Sequence, residues 1–245
     1  MFDLTGKCAL VTGATGGIGA AIARSLHAAG ATVALSGTRE AVLQELAGEL
    51  GERVHVVPCN LSDAEDVEKL VPAAEAAMGQ IDILVNNAGI TRDNILMRMK
   101  ADEWQDVIDT NLSALYRVSK ACLRGMTKAR WGRIVNITSV VGSMGNIGQS
   151  NYAATKSGAE GFSRALAREL GSRSVTVNCV APGFIDTDMT RELSDEQRDL
   201  MMGQIPLGRL GAPEEIAALV AFLCSDAAAY ITGETVHING GMHMA

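Results

Sequence analysis

Short apolar runs and longer amphipathic stretches take turns along almost the whole chain. Runs such as Lys7-Cys8-Ala9-Leu10-Val11 do not alternate between apolar and polar positions, which is the habit of a strand buried on both faces. The pattern predicts strands near 7–12, 32–36, 53–58, 82–86, 132–138, 174–181 and 234–238. Helices are predicted near 18–29, 39–50, 63–78, 102–129, 151–171 and 213–224. Ser62 and Asp63 suit the cap of the third helix, and Pro213 with Glu214 and Glu215 suits the start of the last. Strands alternating with amphipathic helices predict an α/β fold, a doubly wound, seven-stranded parallel sheet of Rossmann type with helices on both faces. No repeat, low-complexity tract or linker divides the chain, so residues 1–245 read as one domain. The long irregular stretch is 183–212, where a lid over a site is expected.

Composition narrows the class. With 245 residues and 47% hydrophobic content, the chain can build one large core. No apolar run reaches the roughly 18 residues of a membrane helix, and the N-terminus lacks the pattern of a secretion signal. Cys8, Cys59, Cys122, Cys179 and Cys224 are widely spaced, form no Cys-x-x-Cys pair and read as buried thiols of a reducing, cytoplasmic compartment. His27, His55, His237 and His243 show no metal-ligand spacing. A net charge of −7 argues against a nucleic-acid partner.

Candidate chemistry sits in two places. The first predicted strand runs directly into Thr12-Gly13-Ala14-Thr15-Gly16-Gly17-Ile18-Gly19, and a helix follows. Strand, glycine turn and helix form the setting in which N–H groups at a helix N-terminus hold a pyrophosphate. The spacing is Gly13-x-x-x-Gly17-x-Gly19 rather than G-x-G-x-x-G. The second place is Tyr152-Ala-Ala-Thr-Lys156, with Ser139 upstream. Residues four apart share a helix face, so an ammonium can lie beside the phenol. A free phenol titrates near pH 10 and is a poor donor at neutrality. A unit positive charge about 5 Å away, at an effective dielectric of about 20, favours its ionised form by roughly 3 kcal/mol. The same spacing also occurs in ordinary helices with a packed Tyr and an exposed Lys.

These two features, with Asn86-Asn87-Ala88-Gly89 and Asn111, resemble the short-chain dehydrogenase/reductase family over essentially the whole chain. Within it, the stretch from Gly89 to Lys100, Ser139-Val-Val-Gly-Ser-Met-Gly-Asn146, Ala181-Pro-Gly-Phe-Ile-Asp-Thr-Asp-Met189 and the Gly240-Gly241-Met242 ending are most similar to the 3-oxoacyl-[acyl-carrier-protein] reductase group. The resemblance implies a catalytic set of Asn111, Ser139, Tyr152 and Lys156. Tyr152 donates a proton, Ser139 holds the substrate oxygen, Lys156 favours ionised tyrosine and binds the cofactor ribose, and Asn111 holds a relay water. It implies cofactor contacts from Gly13, Ala14, Thr15, Gly17, Ile18 and Gly19. Asn60 and Leu61 are expected to flank the adenine, although many relatives carry Asp at the first of these.

Asn87, with Ala88 and Gly89, is expected to approach the nicotinamide ribose, and Asn86 to brace the sheet. Ile185 and Thr187 belong near the carboxamide. At the end of the second strand, Gly37 stands where NAD-dependent relatives carry Asp, and Thr38 with Arg39 suits a 2′-phosphate, so NADP (NADPH) is expected. Gly16 departs from the basic residue of many NADP-preferring members.

The implied activity is NADPH-dependent reduction of 3-oxoacyl thioesters on an acyl carrier protein, in fatty acid biosynthesis. Another carbonyl substrate, or a nicotinamide-binding sensor without turnover, stays open. Met189, Leu193, Leu200, Met201, Met202, Ile205, Pro206 and Leu207 suit either an acyl chain or plain packing. An acidic carrier calls for a basic patch. Arg124, Lys128, Arg130 and Arg133 cluster about one helix end and Arg173 follows the Tyr152 helix, with Arg130 and Arg173 as candidate contacts. Complementing helix C-termini is the other reading of those cations. A homotetramer, packed through the helices at 102–129 and 151–171, is implied by the resemblance.

Overall fold

In the computed structural model, which describes residues 2–187, 190, 196, 200 and 202–244, the strands lie where the apolar runs do. They are β1 (Cys8–Thr12), β2 (Thr32–Ser36), β3 (Val54–Val56), β4 (Ile83–Asn86), β5 (Gly132–Ile137), β6 (Val175–Pro182) and β7 (Thr235–Ile238). All neighbours pair in parallel, in the order β3-β2-β1-β4-β5-β6-β7. The central strands are buried at every residue because helices cover both faces, so even Thr176 and Asn178 of β6 lie inside.

On one face lie α1 (Gly17–Ala28), α2 (Glu40–Leu50) and α8 (Pro213–Cys224), packed around Ile22, Leu26, Leu43 and Ile216. On the other lie α3 (Ala64–Met78), α5 (Ala114–Ala129) and α7 (Ser150–Leu170), around Leu70, Val118, Met126 and Leu166. Asp63 caps α3, accepting the Glu65 N–H at 2.9 Å. Pro213 opens α8, where Glu215 reaches back to the Ala212 N–H at 2.8 Å.

Two elements depart from the expected pattern. The helix expected at 102–129 is α4 (Ala101–Ile108) and α5 joined by a π turn, Asp109–Ser113. A short helix, α6 (Val140–Met144), follows β5 where the pattern predicted no element. Of the expected lid, Met189, Leu193 and Met201 lie outside the described residues. Ile205 is buried, whereas Leu200 and Leu207 are exposed.

All five cysteines are free and buried. Burial pushes the Cys59 and Cys224 thiols up to about 12 and that of Cys179 to about 11, so they are inert packing groups. Among the described residues, no group of His, Cys, Asp and Glu could hold a metal ion, and no helix is long and apolar enough to cross a membrane. His27 meets the Glu52 carbonyl, and the His237 and His243 rings stack edge to face at 4.7 Å.

Candidate functional site

The crossover from β3, at one edge, to β4, beside β1, reverses the direction in which strands are added. Such a switch point leaves a crevice beyond the carboxyl ends of the two central strands. The glycine turn follows β1, and the segment Asn87–Gly89 follows β4. They are close: a Cβ on Gly13, whose φ is +66°, would lie 2.8 Å from the Ala88 Cα. A Cβ on Gly19 would lie 2.1 Å from the Gly13 carbonyl oxygen, so only glycine lets α1 start this near the turn. Gly16 precedes α1 without capping it by a side chain, and no acidic residue stands in the first turn. The N-terminal amides of α1 therefore form an open anion cradle, which fits a dinucleotide pyrophosphate.

Thr12, which sequence reasoning passed over, ties the two segments together. Its hydroxyl oxygen accepts the Asn87 and Ala88 N–H groups at 3.1 and 3.2 Å and lies 3.3 Å from the Val85 carbonyl. Its position as the last residue of β1 was the available signal. The Asn87 amide donates to the carbonyls of Thr12 and Gly13 at 3.0 and 3.1 Å, so its two hydrogens brace the turn and are not turned to a ribose. Asn86 ties strands to helices: it donates to Asn136 at 2.8 Å and Ser119 at 3.1 Å, and Asn136 donates to Ser163 at 2.8 Å.

Arg39 is exposed at the start of α2, and its guanidinium donates to the Thr15 carbonyl at 2.6 Å. Gly37 faces Thr15 closely enough that a Cβ would sit 3.1 Å from the threonine methyl. Thr15, Gly37, Thr38 and Arg39 thus gather beside the glycine turn. Asn60 forms a local turn, accepting from the Ser62 N–H and hydroxyl at 3.1 and 2.8 Å. Leu61 packs with the α3–α5 core. Ile185 is buried in a bridge to Gly211, and Thr187 approaches the place of a Gly17 Cβ to 3.2 Å. The chain after β6 thereby reaches the glycine turn.

The reactive side chains converge beyond β4 and β5. Lys156 is 6% exposed; its Nζ donates to the Ile137 carbonyl at 2.8 Å and lies 5.3 Å from the centre of the half-buried Tyr152 ring. A Cβ on Gly89 would lie 3.5 Å from that Nζ and 3.3 Å from the Asn111 Oδ1. Asn111 sits in the π turn, clamping Ile90: its Oδ1 accepts the Ile90 N–H at 2.8 Å, and its Nδ2 donates to the Ile90 carbonyl at 2.9 Å. π turns shift register by one residue, which is how one polar side chain is re-aimed within an amphipathic helix. Ser139 caps α6 by accepting the Val141 N–H at 3.2 Å, which leaves its O–H free to donate. One turn beyond Lys156, buried Glu160 is held above the usual carboxylate range, first by desolvation, with the Thr138 hydroxyl opposing.

The basic cluster is divided. Arg130 and Arg173 are exposed, and Arg130 donates to the Ser172 carbonyl at 3.2 Å, so the two flank one turn. Arg133 is 3% exposed, pairs with Asp226 at 3.2 Å and stacks on Trp131 at 4.3 Å. Its place on β5 points it into the body, so it is no part of a surface patch.

A family model described as Enoyl-(Acyl carrier protein) reductase matches residues 13–243. The 3-oxoacyl-[acyl-carrier-protein] reductase FabG of Pseudomonas aeruginosa is 60% identical over 99% of this chain and 100% of its own length. The chain belongs to the short-chain dehydrogenase/reductase family. The Escherichia coli FabG, also a 3-oxoacyl-[acyl-carrier-protein] reductase, is 58% identical over 99% of both chains. Nodulation protein G of Rhizobium sp. is 53% identical over the full length of both. The α/β sheet of this family member carries its Tyr-x-x-x-Lys pair on α7 and its glycine turn after β1.

Proposed function

We propose that the protein is an NADPH-dependent reductase of 3-oxoacyl groups carried on an acyl carrier protein, acting in fatty acid biosynthesis. The observation that carries this reading is the buried Lys156 ammonium 5.3 Å from the Tyr152 ring, beside the glycine cradle. The relatives named as 3-oxoacyl reductases supply the substrate class. The family model's description names an enoyl reductase, but two hydroxyls at Ser139 and Tyr152 suit a carbonyl oxygen better than a carbon–carbon double bond.

When bound, NADPH supplies the hydride. Charge then grows on the substrate oxygen, which Ser139 meets with its free O–H. Tyr152 gives that oxygen its proton. The Lys156 ammonium favours the ionised tyrosine that remains, since opposite charges attract strongly where water is excluded. Asn111 holds the chain at Ile90 and places the π turn where a relay water is needed. Gly13, Ala14, Thr15, Gly17, Ile18 and Gly19 take the pyrophosphate. Thr38 and Arg39 take the 2′-phosphate, Arg39 exchanging its Thr15 carbonyl for a charge-assisted pair. The rest of the reading is one domain with a lid over 183–212, a homotetramer, and a carrier held by Arg130 and Arg173.

Loss of NADPH absorbance is to be followed with acetoacetyl on acyl carrier protein, on coenzyme A and as a simple ester. A kcat/KM preference for the carrier form is expected. Equal rates on all three would remove the carrier and leave a reductase of another ketone. Tyr152→Phe separates enzyme from sensor: turnover should fall about 10²–10⁴-fold while NADPH binding persists. Unchanged turnover would sink the assignment of Tyr152.

A further inference from the structure

Helix α7 holds the segment that carries Ser139 from one side. Its Lys156 Nζ donates to the Ile137 carbonyl at 2.8 Å, and its Ser157 hydroxyl donates to the Gly142 carbonyl. A Cβ on Gly142 would lie 3.1 Å from the Lys156 Cβ, so helix and segment are in close contact there. One turn further, Glu160 is 9% exposed, and its Oε1 has no hydrogen-bond partner among the described residues. Buried carboxyl oxygens are nearly always paired, so this one calls for a role. The hydroxyl within reach of the carboxyl is that of Thr138, the residue immediately before Ser139. Thr138 is 3% exposed, and its hydroxyl lies 3.3 Å from the Val180 carbonyl, beyond the usual range of about 2.5–3.0 Å for such a bond. That carbonyl already accepts the Thr138 N–H at 2.8 Å. The hydroxyl is therefore loosely held, with a second acceptor at hand.

We propose that Glu160 is a positioning residue for the reduction, acting through the Thr138 hydroxyl on the place of Ser139. The inference rests on the reductase reading. A neutral carboxyl leaves the Thr138 hydroxyl on Val180, the arrangement the structure shows, and can give its own proton to that hydroxyl oxygen. An ionised carboxyl can only accept. It takes the Thr138 O–H from Val180 and draws the end of β5 toward α7, and Ser139 moves with it. The carboxyl stands between opposing influences. Burial, the largest, favours its neutral form, whereas the Thr138 hydroxyl, Arg164 on α7 and His243 near the C-terminus favour the charged one. Cys179 on β6 faces α7 as a neutral thiol, pushed up to about 11 chiefly by burial, and its sulfur meets the Ser163 hydroxyl at 3.1 Å. His237 on β7 pairs in register with Ala181, two residues beyond Cys179, so its ring faces the same helix. Burial first, then His243, holds that ring below its ordinary value, and its Nδ1 has no partner among the described residues. Glu160 is thus the group in this enclosure whose charge can change beside Thr138.

Two pH profiles test the link, one of kcat with acetoacetyl-coenzyme A and one of Tm. In wild-type protein, kcat should step down about 3- to 10-fold as pH rises through the raised carboxyl value, the size expected when a catalytic hydroxyl shifts by a fraction of an ångström. Glu160→Gln cannot ionise, so it should keep the low-pH kcat and lose the step. Thr138→Val keeps the carboxyl but removes the hydroxyl that carries its effect, so it should lose the step in kcat while its Tm still declines with pH. Thr138→Ser restores a hydroxyl and should restore the step. NADPH affinity, read by fluorescence titration, should stay at the wild-type value in all three variants. A step that survives in Thr138→Val would overturn the proposal, as would a wild-type profile identical to that of Glu160→Gln. Should Thr138→Val fail to fold, Thr138→Ala replaces it with the same expected outcomes. If wild-type protein binds NADPH but reduces no acetoacetyl thioester, on coenzyme A or on the carrier, the reductase reading has failed and the inference falls with it.

Discussion

Gly19→Ala places one methyl at the tightest point of the glycine turn. The new Cβ would stand 2.1 Å from the Gly13 carbonyl oxygen and 2.6 Å from the Asn87 Nδ2. Ordinary contact begins at 3.4 Å, so something must move by roughly 1 Å. Helix α1 cannot retreat, because Ile22 and Leu26 are fully buried in the core it shares with α8. The turn itself must yield. Overpacking of this kind costs about 1–3 kcal/mol, and losing the Asn87–Gly13 hydrogen bond adds about 1 kcal/mol. A destabilisation of about 2–4 kcal/mol is expected, read as a fall in the urea midpoint at unchanged slope. The displaced turn also forfeits a charge-assisted bond to the pyrophosphate, about 1.5–3 kcal/mol, which weakens NADPH binding roughly 10- to 150-fold. Fluorescence titration of NADPH measures this directly. Wild-type affinity and wild-type midpoint together would refute the reasoning. Lower stability with normal affinity would confine the strain to helix packing and remove Gly19 from the cofactor site.

Three further outcomes are expected. Gly37→Asp sets a carboxylate at the end of β2, where Thr15 can yield to the new Cβ, and should shift the NADPH-to-NADH ratio of kcat/KM toward NADH by about 10- to 100-fold; an unchanged ratio would place the 2′-phosphate elsewhere. Gly48→Ala in α2 meets open space and should stabilise the fold by about 0.5–1 kcal/mol in denaturant titration, with kinetics unchanged. Glu160 is raised above its ordinary value of 4.5, chiefly by burial, so its contribution is complete below that value and is lost as pH rises through the raised one. Glu160→Gln should therefore flatten the decline of Tm with rising pH above about 4.5; a profile parallel to wild type would mean that another group sets it.

Much of the architecture was legible because parallel strands buried on two faces are apolar-rich on both, as the near-continuous runs of β1, β2 and β4 show. The glycine turn and the Tyr152–Lys156 pair were legible for a similar reason: each is a local spacing whose geometry follows from the backbone alone. Caps such as Asp63 and Pro213 were local too.

What escaped depends on partners far along the chain. Residues Ala101–Ala129 carry an unbroken helical pattern, yet Asn111 must meet Ile90, 21 positions away, and a π turn supplies the extra residue. Nothing in the sequence marked Asn87 as a brace of the glycine turn, to whose Thr12 and Gly13 carbonyls its amide hydrogens are given. Arg133 looked like surface charge beside Arg130 until its alternate position on β5 turned it onto Trp131. Sequence by itself determined the strands, most of the helices and the local motifs, since periodicity and steric limits act over a few residues. Tertiary structure alone decided which polar groups were already spent on one another, because those partners lie far apart along the chain and meet only once it has folded.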